Sequence, residues 1–371
     1  KDSEGLRISL NAFVFVLGIL AIMLGILGFF MSNTILRWMG TPESILPMAA
    51  TYLKINFIGI LFLFGYNFIG TVLRAVGDSR TPLRFISLAV GLNIILDPLF
   101  IVGFQMDVAG AAVATVVSQG AAFLFGLIYS IRAKGLPFTV PTPPPWEEFT
   151  RIFRLGLPSG FSMMVISGGM LAIMTVVTSF GENVIAGYGA AQRLDSLIML
   201  PATTLGSAIT SMAGQNIGAG KWHRVTDIAK SGLFLILTVT LTIALIVFLL
   251  SELLIRMFVS DPATVNFGAT YLRIVAFFYP FLGINFVLNG IVRASGAMVQ
   301  VLVLNTLSFW VLRFPLSWGF STWLGENGIA VGIGVSFVIS SLFSFAYYRF
   351  GKWRKIDLFH YGQKNKETVK E

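Results

Sequence analysis

Charge is what this sequence has least of, and cysteine it lacks altogether. Of 371 residues, 12% are Asp, Glu, Lys or Arg, none is Cys and two are His. The missing cysteines exclude disulfides, thiol nucleophiles and thiolate metal sites. The two histidines, His223 in a connector and His360 near the C-terminus, read as solvated groups rather than ligands. No phosphate-binding loop, zinc-ligand spacing or nucleophile constellation is present. The chain is therefore expected to be no enzyme, to carry no cofactor, and to draw on an energy source other than ATP. What it has instead is apolar surface: 56% of its residues are hydrophobic and the mean hydropathy is +0.82. A soluble domain of this length would not tolerate that, which leaves an all-α polytopic membrane protein. The net charge of +9 is spread singly between apolar runs, a topology pattern rather than a nucleic-acid face.

Apolar windows of about 20 residues or more fall near 8–31, 47–72, 83–104, 108–131, 152–180, 184–213, 230–251, 267–292, 300–323 and 327–349, predicting ten spans. The long connector from Ala133 to Arg151 is rich in proline and reads as a linker between two halves. Lys and Arg fall one-sidedly: twenty of the 26 lie at the termini and on alternate connectors, while Glu43, Asp107, Glu182, Glu252, Asp261 and Glu326 lie on the other side. By the positive-inside rule both ends are expected in the cytoplasm, with the chain in the plasma membrane.

Within this apolar background the stretch VGLNIILDPLFIVGF, 90–104, holds a carboxylate, Asp97. An ionised group at membrane depth costs a few kcal/mol and usually faces a cavity or a partner. Asn93 lies one helical turn earlier on the same face. After a turn near Gly103 to Asp107, Thr115 is about as far past that turn as Asp97 is before it. Three oxygen-bearing side chains at one depth would suit a small hard cation, or a proton shared with the carboxylate. The plainer alternative is that Asn93 and Asp97 dress a kink at Pro98.

The two halves resemble each other at a shift of about 219 residues: Arg74-Ala75-Val76-Gly77 answers to Arg293-Ala294-Ser295-Gly296, Tyr52 to Tyr271, Pro98 to Pro315 and Gly110 to Gly328. Such copies are parallel repeats, with a substrate cavity expected between them. Where the first has Asn93, Asp97 and Thr115, the second has Trp310, Phe314 and about Ile333, so the scaffold alone does not require those polar groups. In the second copy two further helices precede the point that matches Lys1. About 70 upstream residues carrying two more spans are therefore expected, giving twelve in a six-plus-six arrangement. The expected divisions are a first lobe at 1–132, a cytoplasmic linker at 133–150, a second lobe at 151–350 and a cytoplasmic tail at 351–371.

LRAVGDSRTP (73–82), NIILDPLF (93–100), GAAVATVVSQ (110–119) and GQNIGAGK (214–221), with the repeat, resemble the multidrug and toxic compound extrusion (MATE) family over nearly the whole chain. The resemblance implies an antiporter that expels cationic amphipathic compounds against inward sodium or proton flow by rocking its two lobes. It also implies a first-lobe cation site at Asn93, Asp97 and Thr115, completed by an Asp of the family's first helix that this chain does not contain. The seventh-helix acid of some branches has no counterpart between Arg154 and Phe180.

YGAAQRLDSLIML places Gln192, Arg193 and Asp195 inside a span. Arg193 and Asp195, two residues apart, point to nearly opposite sides of a helix. Asp195 either attracts cationic cargo or forms a salt bridge to Arg273 or Arg313. Asn56, Tyr66 and Asn67 either line the cavity or bond a neighbouring helix. Methionines 163, 164, 170, 174, 199 and 212 suit an adaptable surface but are also ordinary core filler. The competing function is a flippase for a lipid-linked oligosaccharide or polyprenyl substrate, which should need several in-span cations; Lys54, Arg193, Arg273 and Arg313 permit it without favouring it. A channel is disfavoured by the lack of a continuous polar stripe. The expected partners are a small molecule and the lipid bilayer, with the protein a monomer.

Overall fold

The computed structural model describes residues 3–133 and 135–356, and no strand occurs among them. The helices are α1 (Ser3–Trp38), α2 (Leu46–Ile58), α3 (Ile60–Ala75), α4 (Arg80–Pro98), α5 (Asp107–Arg132), α6 (Trp146–Thr178), α7 (Glu182–Gly218), α8 (Trp222–Arg256), α9 (Pro262–Ala276), α10 (Tyr279–Ala294), α11 (Met298–Thr306), α12 (Phe314–Leu324) and α13 (Asn327–Phe350). Wider π-helical turns, Leu99–Gly103 and Leu307–Arg313, extend α4 and join α11 to α12. Eight segments are long and apolar enough to cross a membrane, and two bent pairs bring the count to ten.

The bent pairs correct the picture of ten plain spans. The windows 47–72 and 267–292 are each broken midway, α2 from α3 by 48° and α9 from α10 by 52°. Gly59 forms the first break, and Pro280, which has no N–H to give, follows the second. Gly59 and Phe278 are equivalent at the repeat shift, so the copies bend at the same place. The R-A-x-G motifs end α3 and α10 alike, because Gly77 (φ 93°) and Gly296 (φ 82°) take the left-handed backbone that only glycine adopts freely. The following GDSRTP motif starts α4: Asp78 accepts from the Arg80 and Thr81 N–H groups, both at 3.1 Å, and from the Thr81 hydroxyl at 2.7 Å. The turn expected at Gly103 to Asp107 is shorter, since the π-helical turn carries the span through Gly103.

Two compact units result, Lys1–Phe153 and Arg154–Glu371. In the first, α5 packs on α2, α3 and α4, around Ile69, Leu73, Phe85 and Ala122. The proline-rich segment lies on this unit: the Asn11 amide on α1 donates to the Thr142 carbonyl and accepts from its N–H, both at 2.9 Å. Leu136 and Phe138 enter the core, and Ile152 packs against Ala12 and Val16 of α1. The second unit has a larger core, in which Tyr188, Tyr271, Tyr279, Leu272 and Ile329 are buried together. Gly332 lets α13 touch α12 so closely that a Cβ there would lie 2.3 Å from the Ser317 Cα. Past α13, Trp353 is buried on a 3-10 turn, donating to the Tyr348 carbonyl at 2.8 Å. Of the expected tail, residues 357–371, including His360, lie outside the described residues.

Candidate functional site

In the first unit α4 holds Asn93 and Asp97 one turn apart, and Asn93 Nδ2 donates to Asp97 Oδ1 at 3.2 Å. Both are half-buried, while Ile94 and Ile95 between them are each 66% exposed. Pro98 sits inside the end of α4 and the helix continues past it. The Thr115 hydroxyl on α5 turns back on its own helix and donates to the Ala111 carbonyl at 2.9 Å. Among the described residues no hydrogen bond joins Thr115 to Asn93 or Asp97. Ser118, one turn further along α5, escaped the sequence reading; it is buried with its hydroxyl unpartnered. The pair that the structure brings together is therefore the Asn93 amide and the Asp97 carboxylate. Among the described residues there is no group of three or more His, Asp or Glu side chains that could hold a transition metal.

In the second unit Asp195, half-buried on α7, accepts a short hydrogen bond from the Tyr279 hydroxyl of α10. Of the two alternatives for Asp195, the salt bridge is not formed: neither Arg273 nor Arg313 forms an ion pair with it among the described residues. Arg313 is instead clamped between the Phe309 and Phe337 rings, 3.9 and 4.8 Å from their centroids. Tyr188 and Tyr271 meet edge to face at 5.4 Å beside them. Gln192 is half-buried and Arg193 exposed, so α7 turns the two charges apart as the helical spacing requires. Asn56 donates to the Tyr52 carbonyl at 2.9 Å and Asn67 to that of Leu63 at 2.8 Å. Each satisfies its own helix rather than a neighbouring one. A groove of about 360 Å³ in the first unit, lined by Gly25, Phe29, Phe57 and Leu61, is almost wholly apolar and holds none of these residues.

The sequence reading missed Tyr279, Tyr188 and Ser336. A serine series at 336, 340 and 344 was visible on one face of α13, and it is buried: Ser340 donates to Ser308 at 2.7 Å and Ser344 accepts from the Asn285 amide at 2.6 Å.

Membrane-spanning helices in repeated bent pairs, each unit holding a carboxylate within a span, define a polytopic transporter rather than an enzyme. The chain belongs to the MatE family, whose model matches residues 1–99 and 158–318. It is 57% identical to the probable multidrug resistance protein YpnP of Bacillus subtilis over 96% of this chain and 80% of that one. It is 31% identical to the probable multidrug resistance protein NorM of Thermotoga maritima over 83% of this chain and 68% of that one. The fold is also that of the Vibrio cholerae MATE transporter VcmN in its bent form, with a TM-score of 0.88 and 19% identity over 96% of this chain and 86% of that one.

Proposed function

We propose that the chain exports cationic amphipathic drugs or toxic compounds across the plasma membrane in exchange for sodium or protons. It would do so by alternating exposure of the cargo to the two sides, with both termini in the cytoplasm. The observation that carries this reading is the Asn93–Asp97 pair, a hydrogen-bonded carboxylate on a helix otherwise apolar enough to face lipid. Its repeat equivalents, Trp310 and Phe314, show that the fold does without such a pair: the Trp310 indole simply donates to the Val165 carbonyl at 3.0 Å. Family membership and the multidrug-resistance names of two relatives support efflux of drugs.

In this reading Asp97 binds the coupling ion, Asn93 and Thr115 supply its further oxygens, and Asp195 draws the cargo cation. Gln192 and Arg193, on the same helix as Asp195, are the further candidates for the cargo site. A carboxylate in low dielectric is compensated either by a proton or by a cation, so the two compete. Isothermal titration with sodium at two pH values tests this. The heat of sodium binding is expected to weaken as pH falls and to vanish in Asp97→Asn. Sodium binding that ignores both pH and that substitution overturns the assignment.

A further inference from the structure

The first unit holds an in-span cation that the proposed transport cycle does not use. Lys54 is half-buried on α2, eight residues or about 12 Å along the helix from Leu46. Among the described residues no carboxylate forms an ion pair with it. Its Nζ rests 5.6 Å from the centroid of the Phe29 ring, and Phe29 lies more than two helical turns before the end of α1 at Trp38. The charge is thus held at depth rather than led out along the lysine stem. A ring face attracts a cation without neutralising it, so an ionised group there still calls for a counter-charge. Phe29 also lines the apolar groove of about 360 Å³, together with Gly25, Phe57, Ile58 and Leu61. Lys54 precedes Phe57 and Ile58 by three and four residues, which puts it on the same face of α2, at the groove's rim. The groove opens on the surface of the unit, where Ile58 is 65% exposed.

The repeat supplies a control. At the same shift Phe29 and Ile58 correspond to Phe248 and Phe277, whose rings meet edge to face at 5.3 Å. Arg273 stands for Lys54 in that copy, and an acid, Glu252, lies on the adjoining helix where the first copy has Asn33. The first copy thus joins a cation without a carboxylate to open apolar space. We propose that Lys54 and the groove form a site for a single-chain anionic amphiphile, with its carboxylate on Lys54 Nζ and its acyl chain lying in the groove across the Gly59 bend. The volume is at the small end of the range for ligand pockets, which suits one chain rather than two. Lys54 also lies too deep in its span to meet the headgroup of a phospholipid at the membrane surface. Its charge repels the cationic compounds proposed as cargo, so this site stands apart from the cargo site and does not depend on that reading.

The test is native mass spectrometry of the full chain in detergent, titrated with oleate and with oleylamine, the same chain bearing a cationic head. One oleate is expected to bind saturably. Oleylamine in the parent, and oleate in Lys54→Met, are each expected to bind more weakly by on the order of tenfold, the loss of one charge-assisted contact. Ile58→Phe gives the first copy the ring that the second already has. It keeps the charge, fills the groove and is expected to weaken oleate binding to a similar degree. If Lys54→Met fails to elute as a folded monodisperse species, Ile58→Phe and the comparison of oleate with oleylamine decide. Oleate bound by either folded variant as tightly as by the parent, or oleylamine bound as tightly as oleate, overturns the site. Phosphatidylglycerol that displaces oleate from the parent but does not bind Lys54→Met assigns the groove to a phospholipid and overturns the single-chain occupant.

Discussion

The carboxylate in the second unit is met by a phenol, and the chain supplies that phenol from 84 residues away. Asn93 and Asp97 were legible in the sequence because four residues on a helix fix two side chains on one face whatever the rest of the fold does. Tyr279 was not, because its position depends on a break between α9 and α10 that hydropathy alone does not reveal. The first copy carries Ile60 at the equivalent position, so no pattern in the repeat marked a hydroxyl there. Removing that hydroxyl leaves a carboxylate oxygen in the core without its donor. Tyr279→Phe is therefore expected to destabilise the protein by about 2 kcal/mol, read as a lower thermal midpoint in detergent. An unchanged midpoint would mean that the bond contributes nothing.

Helix existence and order followed from apolar run length, since lipid-spanning segments announce themselves over about 20 residues. The bends and the π-helical turns did not, because they turn on single residues such as Gly59 and Pro280 within runs that stay apolar throughout. Glycine contacts show the same limit. Gly328 and Gly332 on α13 press on the backbone of α12, whereas a Cβ at Gly319 on α12 would meet nothing within 4 Å. Gly332→Val is expected to cost about 3 kcal/mol through overpacking, while Gly319→Ala is neutral or stabilising by up to about 1 kcal/mol. Equal effects in thermal unfolding would contradict this packing. Outside the spans, Asp261 caps α9 by accepting from the Thr264 N–H and hydroxyl, each at 2.8 Å. Those bonds hold its carboxyl below the usual range. A depressed carboxyl pKa gives stability that is complete above the unfolded value and is lost as pH falls through the folded one. Hydrogen exchange at Thr264 and Val265 is thus expected to speed up, relative to the intrinsic rate, in acid in the parent but not in Asp261→Ala. The same acid dependence in both would remove the cap from the account.

At the scale of the molecule, sidedness is the strongest signal the sequence carries. The basic residues on the acidic side, Arg37 and Arg256, pair with Glu43 at 3.4 Å and Glu252 at 2.8 Å. The absence of cysteine makes orientation directly measurable. A single cysteine introduced at Ser260 is expected to react with an impermeant maleimide on intact cells, and one at Thr226 only after permeabilisation; the reverse would invert the topology. The seat of the proline-rich segment was not legible in the sequence. Composition shows that such a segment is not helical, whereas only the Asn11–Thr142 pair shows what it rests on. The central claim is that Asp97 couples ion flow to drug export, and ethidium efflux from proteoliposomes under an imposed sodium or proton gradient tests it most directly. The account predicts gradient-driven efflux by the parent and its loss in a normally inserted Asp97→Asn; efflux that persists in that variant at the parent's rate would contradict it.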